Sequence, residues 1–247
     1  MPTLQVFDRI NRLDSEGNNL YKLRSMPYEQ YFGEMAFLSD EEKEERIALA
    51  EDLEDVMMFL MFLVVSQSNY SYMAAISSVE IKETLRQRMV DTVSNHVEID
   101  GELQEQINDF IDDATDTTFE YLVILNSMID STSTDARPTA TGSENETDAE
   151  FYLSDDRARL LAEEESNSIF NYMGFDQAVM LGYRTKTWVT MADAFVRRTH
   201  VPMDGKTIPI NELFQVGDSF MRFPRDQKYN ARLKEIARCR CGIKYNK

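Results

Sequence analysis

Residues 39–65 read SDEEKEERIALAEDLEDVMMFLMFLVV, and this stretch decides how the first half of the chain folds. Ser39 and Glu42 have the spacing of a capping box, in which each side chain accepts a hydrogen bond from the other residue's backbone N–H. Apolar residues then recur every three or four positions, which is the period of an α-helix. The sequence therefore predicts a helix that carries one apolar stripe: Ile47, Ala50, Leu53, Met57, Leu60 and Val64.

The second half of this helix, residues 56–65 (VMMFLMFLVV), is apolar on every side. Such a segment has to be covered by other helices or by another subunit. It is too short to cross a bilayer, which takes about 20 apolar residues. We therefore expect a buried helix and no stable membrane insertion.

Two more helices are predicted before residue 130. The first carries an apolar stripe from Ile81 to Val97 and ends before Asp100-Gly101, which breaks the pattern. The second runs from about residue 102 to 130, with Leu103 at the start of its stripe. Long helices joined by short loops favour a bundle with antiparallel neighbours. Residues 1–130 are therefore predicted to form a helical module.

A polar linker is predicted at residues 131–150, which are rich in Ser, Thr and acidic residues. Such a composition buries too little apolar surface to offset the entropy lost on ordering. Residues 151–247 then change character. A helix that begins near Asp155 and ends near Gly174 is followed by a strand at residues 185–190 and a tight turn at Asp204-Gly205. The predicted fold class is mixed, with a helical bundle followed by a small α+β C-terminal domain.

The net charge of −18 is distributed unevenly along the chain. Residues 181–247 contain 14 Lys and Arg against 6 Asp and Glu, a net charge of +8, which leaves −26 for residues 1–180. This asymmetry indicates two modules with different neighbours, unless the charge serves solubility alone. The basic end could contact DNA phosphates or an acidic protein surface. The basic side chains available for such a contact are Arg222, Arg225, Lys228, Arg232, Lys234, Arg238, Arg240 and Lys244.

Residues 157–247 contain an ordered set of short motifs. A helix led by Arg157 includes Glu165 and Asn171, and a Lys-x-Trp step follows at Lys186 and Trp188. The other members, in order, are Asp193, Arg197, His200, Asp204-Gly205, Ile208-Pro209, Phe214, Gly217, Met221-Arg222-Phe223-Pro224 and Cys239-Arg240-Cys241. Taken together, this set resembles the phage head-morphogenesis family typified by the F protein of phage Mu.

Two positions depart from the family pattern. Members usually carry Asn before the first cysteine, where this chain has Arg238. Some members also carry Cys-x-x-Cys where this chain has Arg197 and His200. At the second of these positions Arg197 cannot coordinate a metal ion, because a guanidinium offers no lone pair to it.

The resemblance implies a minor structural protein of a tailed-phage head, not an enzyme. Such a protein would bind the portal protein and other head proteins, act in head assembly or genome delivery, and contact packaged DNA or further copies of itself. It would lie in the capsid interior or at the portal vertex, after assembly in the host cytoplasm. The expected structural residues of its C-terminal domain are Glu165, Trp188, Asp193, Arg197, His200, Gly205, Cys239 and Cys241.

The chemistry of the C-terminal residues leaves alternatives open. His200, Cys239 and Cys241 supply three of the four ligands that a structural zinc usually takes, whereas no cofactor is needed if they form a buried thiol pair beside a hydrogen-bonded histidine. A nuclease-like enzyme would use His200 for proton transfer, with Asp193, Asp204 and Arg197 around it. A DNA-binding accessory protein would use the basic end. The spacing of Asp193 and Arg197 instead predicts a plain ion pair along a helix.

Overall fold

The computed structural model describes residues 27–68, 78–132, 155–229 and 231–247. As predicted, the fold class is mixed, with helices in the N-terminal part and small antiparallel sheets near the C-terminus. The helices are α1 Tyr28–Gly33, α2 Asp40–Ser68, α3 Ser78–Val93, α4 Gly101–Thr132, α5 Asp155–Met180 and α6 Leu233–Ile236. The strands are β1 Thr185–Val189, β2 Thr207–Pro209, β3 Phe214–Val216, β4 Ser219–Met221 and β5 Gly242–Asn246, with a short 3₁₀ turn at Val201–Met203.

The chain divides into two compact units. The first contains the chain up to Ala50 together with Glu163–Lys247, and the second contains Glu51–Ala162. The division falls inside α2 and α5, so residues 28–50 belong with the strands, although the sequence analysis grouped them with the helical module. The predicted linker at residues 131–150 lies outside the described residues, except for its first two positions, which end α4.

Local side-chain caps explain where two of the helices begin. At the start of α2, the Ser39 backbone N–H donates to Glu42 Oε2 at 2.7 Å, and the Glu42 backbone N–H donates to Ser39 Oγ at 3.2 Å. This is the capping box that the sequence predicts. At the start of α4, the backbone N–H of Leu103 donates to Asp100 Oδ1 at 2.8 Å. Asp100 therefore caps α4, whereas α3 has already ended at Val93, before the Val97 limit predicted for its apolar stripe.

The predicted apolar stripes form the interior of the helical unit. These side chains are buried: Leu53, Met57 and Leu60 on α2, Ile81, Leu85, Met89 and Val93 on α3, and Leu103, Ile107, Phe110 and Ala114 on α4. The all-apolar segment is only partly covered, because Phe62 remains 65% exposed. No described helix combines the length and the apolarity that crossing a bilayer requires.

Helix α5 continues past Gly174, where the sequence analysis predicted its end, and stops at Met180. The stop is a Schellman motif around Gly182, which has a φ of +70°. The Tyr183 N–H donates to the Ala178 carbonyl at 3.0 Å, and the Gly182 N–H donates to the Val179 carbonyl at 3.1 Å. The prediction was wrong because a glycine inside a helix and one just beyond its end look alike in sequence, and only the second has a left-handed backbone.

The strands form two small antiparallel sheets. In the first, β1 lies between β2 and β5, with Trp188 opposite Ile243. In the second, β3 and β4 form a hairpin closed by a two-residue turn at Gly217-Asp218. Gly217 has a φ of +56°, as the first position of such a turn favours. The predicted strand at residues 185–190 is thus confirmed, and the predicted Asp204-Gly205 turn leads into β2.

The Schellman motif yields a stability prediction. We expect Gly182→Ala to lower the free energy of unfolding by about 1–2 kcal/mol, because an L-residue is strained in the left-handed region. A Cβ at Gly182 would meet no atom within 4 Å, so the loss measures backbone strain alone. Gly33→Ala is the matched control, since it also meets nothing within 4 Å and has no positive φ. Urea unfolding followed by circular dichroism measures both, and equal effects would contradict the assignment.

Candidate functional site

A small hydrophobic core beneath the C-terminal strands contains both cysteines. Trp188 on β1 is completely buried in it, as is Phe214 on β3. The other members are Met203, Val216, Met221, Ile236, Cys239 and Cys241. The residues from the tryptophan to the twin cysteines therefore share one interior.

The chain turns sharply between α6 and β5, where the cysteines lie. Arg238 has a φ of +52°, and the Cys239 N–H donates to the Ile236 carbonyl at 3.2 Å. Asn adopts this left-handed conformation far more readily than Arg, which gives a physical reason for the Asn of the family pattern. The turn directs Cys239 and Cys241 into the core, where they are 1% and 4% exposed.

His200 lies between the two sulfurs and a carboxylate. Its Nδ1 is 3.6 Å from Cys239 Sγ and 3.5 Å from Cys241 Sγ. Its Nε2 is 3.2 Å from Glu235 Oε2, although the contact lacks the alignment of a good hydrogen bond. The Trp188 ring packs edge-on against the imidazole, with ring centroids 5.6 Å apart. The imidazole is buried, and each of its nitrogens faces a protein group.

The charges of this cluster support one another. Burial alone would lower the pKa of His200, but Cys239 and Glu235 outweigh burial and raise that pKa to about 9. Burial likewise opposes ionisation of Cys239, but hydrogen bonding from Cys241 and the charge on His200 bring its pKa well below the usual value. The pKa of Cys241 is raised, first by its hydrogen bond to Cys239 and then by burial. The directions of these pKa shifts favour an imidazolium beside a Cys239 thiolate and a protonated Cys241 thiol.

Glu235 on α6 completes the cluster and was missed by the sequence analysis. Burial would raise the pKa of Glu235, but contacts from His200 and Thr199 lower it below the usual value. The Thr199 hydroxyl donates to Glu235 Oε2 at 2.6 Å. The carboxylate thus stays charged on the side of the imidazole away from the sulfurs. Its position four residues before Cys239 in sequence is the only signal that could have indicated it.

The geometry of the two sulfurs and Nδ1 suits a metal ion. The three ligand atoms lie within 4.8 Å of one another. Typical zinc–sulfur and zinc–nitrogen bonds at a tetrahedral angle place sulfur and nitrogen about 3.6 Å apart, close to the separations around His200. A carboxylate on the other imidazole nitrogen is also the usual second partner of a ligating histidine. A fourth ligand would have to be solvent or a group outside the described residues.

The three residues predicted to surround a catalytic His200 have other partners. Asp204 Oδ1 accepts from the Thr190 backbone N–H at 2.7 Å and from the Thr190 hydroxyl. Asp193 pairs with Arg240, and Arg197 donates to the Ala237 carbonyl. The predicted Asp193–Arg197 ion pair is therefore wrong, because residues 191–199 form turns instead of a helix and each side chain holds the segment before β5.

The remaining structural residues divide between the interior and the surface. Trp188, His200, Cys239, Cys241 and Glu165 are buried. Asp193 and Arg197 are half-buried, and Gly205 is exposed. Gly205 has a φ of +71°, so its role is to allow the turn before β2.

A second cluster of buried charge lies on α5. Glu163 and Glu165 are 0% and 2% exposed, and burial raises the pKa of each to about 8. Arg238 Nη2 lies 3.7 Å from Glu163 Oε1, and Arg225 Nη2 lies 3.7 Å from Glu164 Oε2. The sequence analysis singled out Glu165 alone, because three consecutive acids usually indicate an exposed helix face.

Half of the predicted basic contact residues are internal. Arg222 and Arg225 are 8% and 4% exposed, and the guanidinium of Arg222 binds Asp226 at 2.8 Å through both Nε and Nη2. Arg238 and Arg240 are half-buried in ion pairs with acids of the same unit. The exposed members are Lys228, Arg232, Lys234 and Lys244. The four arginines therefore stabilise the fold from within and are not available for a surface contact.

Comparison with known proteins gives this chain no relative. No protein-family model, no curated protein and no solved structure matches it.

The buried acids of α5 yield a pH prediction. The folded protein keeps a proton on Glu163 up to about pH 8, whereas the unfolded chain releases it near pH 4.5. The contribution of Glu163 to the free energy of unfolding is therefore fully present below pH 4.5 and is lost as the pH rises through 8. Glu163→Gln should therefore gain stability relative to the parent between pH 5 and pH 8, by about 3 kcal/mol.

Urea unfolding of both proteins at several pH values measures this difference. Glu44→Gln is the control, because Glu44 is exposed on α2. A stability difference between Glu163→Gln and the parent that does not change with pH would show that Glu163 is ionised in the fold.

Proposed function

We propose that this chain is a structural protein of a tailed-phage head, bound at the portal vertex or in the capsid interior, which assembles in the host cytoplasm. One observation carries the proposal. The apolar and cysteine members of the motif set that resembles the head-morphogenesis family lie together in one buried core: Trp188, Phe214, Met221, Cys239 and Cys241. Had they been scattered over the surface, the ordered motifs would have lost their physical meaning.

A binding role agrees better with His200 than a catalytic one. A general base has to reach the proton that it removes. The imidazole is 1% exposed, and its nitrogens face the two sulfurs and Glu235. The cluster thus supports a stabilising task within the domain.

The surface of the strand-containing unit provides groups for a protein partner. Phe195 and Val201 are 49% and 58% exposed, and they flank the segment that leads to His200. Phe220 on the β3–β4 hairpin is 46% exposed. Aromatic side chains of this kind are enriched in protein interfaces. The proposed partners are therefore the portal protein and other head proteins, or further copies of the chain.

Co-expression with the portal protein encoded by the same genome tests this proposal. We expect the two proteins to co-purify and the chain to be present in proheads and virions by mass spectrometry. Phe195→Ser with Val201→Ser should weaken portal binding by at least about tenfold, because aromatic anchors carry most of the energy of an interface. Val179→Ser is the control, since Val179 is equally exposed on α5.

Failure of the chain to enter proheads, together with no affinity for portal, would overturn the proposal.

Contact with packaged DNA makes a different prediction from contact with protein. DNA affinity should fall steeply with salt, by roughly one unit of logarithmic slope for each phosphate neutralised. Lys228, Lys234 and Lys244, which are exposed, would carry that affinity.

A second candidate function is metal binding by His200, Cys239 and Cys241, favoured by their convergence. The ion would stabilise the turn between α6 and β5 by fixing three side chains from two segments. Neutral imidazole and thiolate are the forms that bind it, so binding would release the proton shared within the cluster.

Titration with Co²⁺ and Zn²⁺ under reducing conditions tests this second function. We expect one ion per chain, with a sulfur-to-cobalt charge-transfer band and a higher melting temperature. Cys241→Ser should abolish the band, and Cys239→Ser should do the same. Thr199→Val is the control, because it perturbs Glu235 and leaves all three ligand atoms in place. A parent protein without any band or thermal shift at excess metal would exclude the function.

A further inference from the structure

A cavity of about 450 Å³ lies within the strand-containing unit, away from the cysteine cluster. Its walls come from the segment around the start of α2, from the last turns of α5 and from β5. Cavities of this volume are the size of small-molecule sites.

A buried guanidinium without its full set of partners lines the cavity. Arg46 is 5% exposed, and its Nη1 donates to Asn167 Oδ1 at 2.9 Å. Its Nε–H has no acceptor among the described residues. Burial lowers the pKa of Arg46 to about 10, which reflects the cost of keeping this charge away from water. An anion in the cavity would add to the countercharge that Glu42 and Glu45 provide for this guanidinium.

The charges along the cavity wall favour an anion. Lys244 is a second cation of the wall, and Glu42 is its acid. Glu42 Oε2 already accepts hydrogen bonds from the Ser39 N–H and hydroxyl, at 2.7 and 2.8 Å. That carboxylate is held in the cap of α2 and its charge also acts on Arg46, whereas the Nε–H of Arg46 has no acceptor among the described residues.

Aromatic rings form much of the remaining wall. Phe170 lies beneath the guanidinium, with Arg46 Cζ 5.2 Å from the ring centroid. Tyr183 and Tyr245 line the cavity as an edge-to-face pair, with centroids 6.3 Å apart. Aromatic faces beside a phosphate-binding cation are the combination that proteins use for nucleotides, because any base can stack on such a ring.

We propose that this cavity binds a nucleoside phosphate, with the phosphate on Arg46 and Lys244 and the base against the tyrosine rings. The same chemistry is present in a free mononucleotide and in the phosphorylated end of a DNA strand. The site is built from polar and aromatic side chains of three separate chain segments.

Isothermal titration of the full chain with 2′-deoxyadenosine 5′-monophosphate tests the proposal. We expect saturable 1:1 binding, at least about tenfold tighter than binding of inorganic phosphate, because stacking adds to the charged contact. Competition with an oligonucleotide distinguishes the sources. Displacement by a 5′-phosphorylated strand, and not by the 5′-hydroxyl strand, identifies a strand end, whereas displacement by neither identifies a free nucleotide.

Gly174→Leu is the first variant, because Gly174 lines the cavity and has an ordinary helical backbone. A Cβ there meets only Tyr245 Cε2, at 3.7 Å, so the variant should fold and fill the space. We expect it to lower the affinity by at least about tenfold. Arg46→Met should do the same, since it removes a hydrogen bond to a charged group.

Lys244→Gln, matched by Lys228→Gln as an exposed control outside the cavity, separates the local charge from the overall charge. We expect a several-fold loss of affinity for the first variant and no change for the second. Gly174→Leu and Lys244→Gln keep the test valid if Arg46→Met does not fold. Absence of nucleotide binding by the parent protein, or binding that Gly174→Leu leaves unchanged, would overturn the inference without affecting the head-protein proposal.

Discussion

The charged contact of His200 with Cys239 and Glu235 is the constraint on which the C-terminal part depends. An isolated charge in a protein interior costs several kcal/mol, and it is tolerated only when its partners are held in place. Glu235 and Cys239 lie 35 and 39 residues further along the chain, on α6 and on the turn before β5. Their convergence therefore requires α6, the turn and β5 to fold against β1 together.

Much of the secondary structure could be predicted from sequence, since it depends on local patterns. The capping box at Ser39, the apolar stripes and the strand around Trp188 each act within a few residues. The end of α5 could not be predicted, because Gly174 and Gly182 differ only in backbone conformation, which follows from the packing of the chain beyond the helix. The grouping of residues 28–50 with the strands is likewise a long-range property, exemplified by the hydrogen bonds of Arg46 to Asn167.

The candidate site was predictable in its residue types and not in its arrangement. Cysteine and histidine are the usual ligands of zinc, so a chain with few of them draws attention to each one. The structure brings His200, Cys239 and Cys241 together. Glutamate is too common for Glu235 to be noticed, and the cavity beside Arg46 has no sequence signature at all. The burial of the α5 acids could not be predicted either, because a run of charged residues normally indicates solvent exposure. Glu163 and Glu165 are nevertheless buried, close to arginines.

These internal arginines change what the uneven charge of the chain means. A count of basic residues predicts a positive surface only if the side chains reach that surface. Arg222 is neutralised by Asp226, and Arg240 by Glu34 and Asp193, so much of the positive charge stabilises the fold from within. Among the described residues of this unit, the exposed positive charge is carried by scattered lysines and arginines, including Arg198 and Arg232, with exposed Phe195 and Phe220 on the same unit. A surface that mixes apolar side chains with separate positive charges suits a protein partner better than it suits the continuous phosphates of DNA.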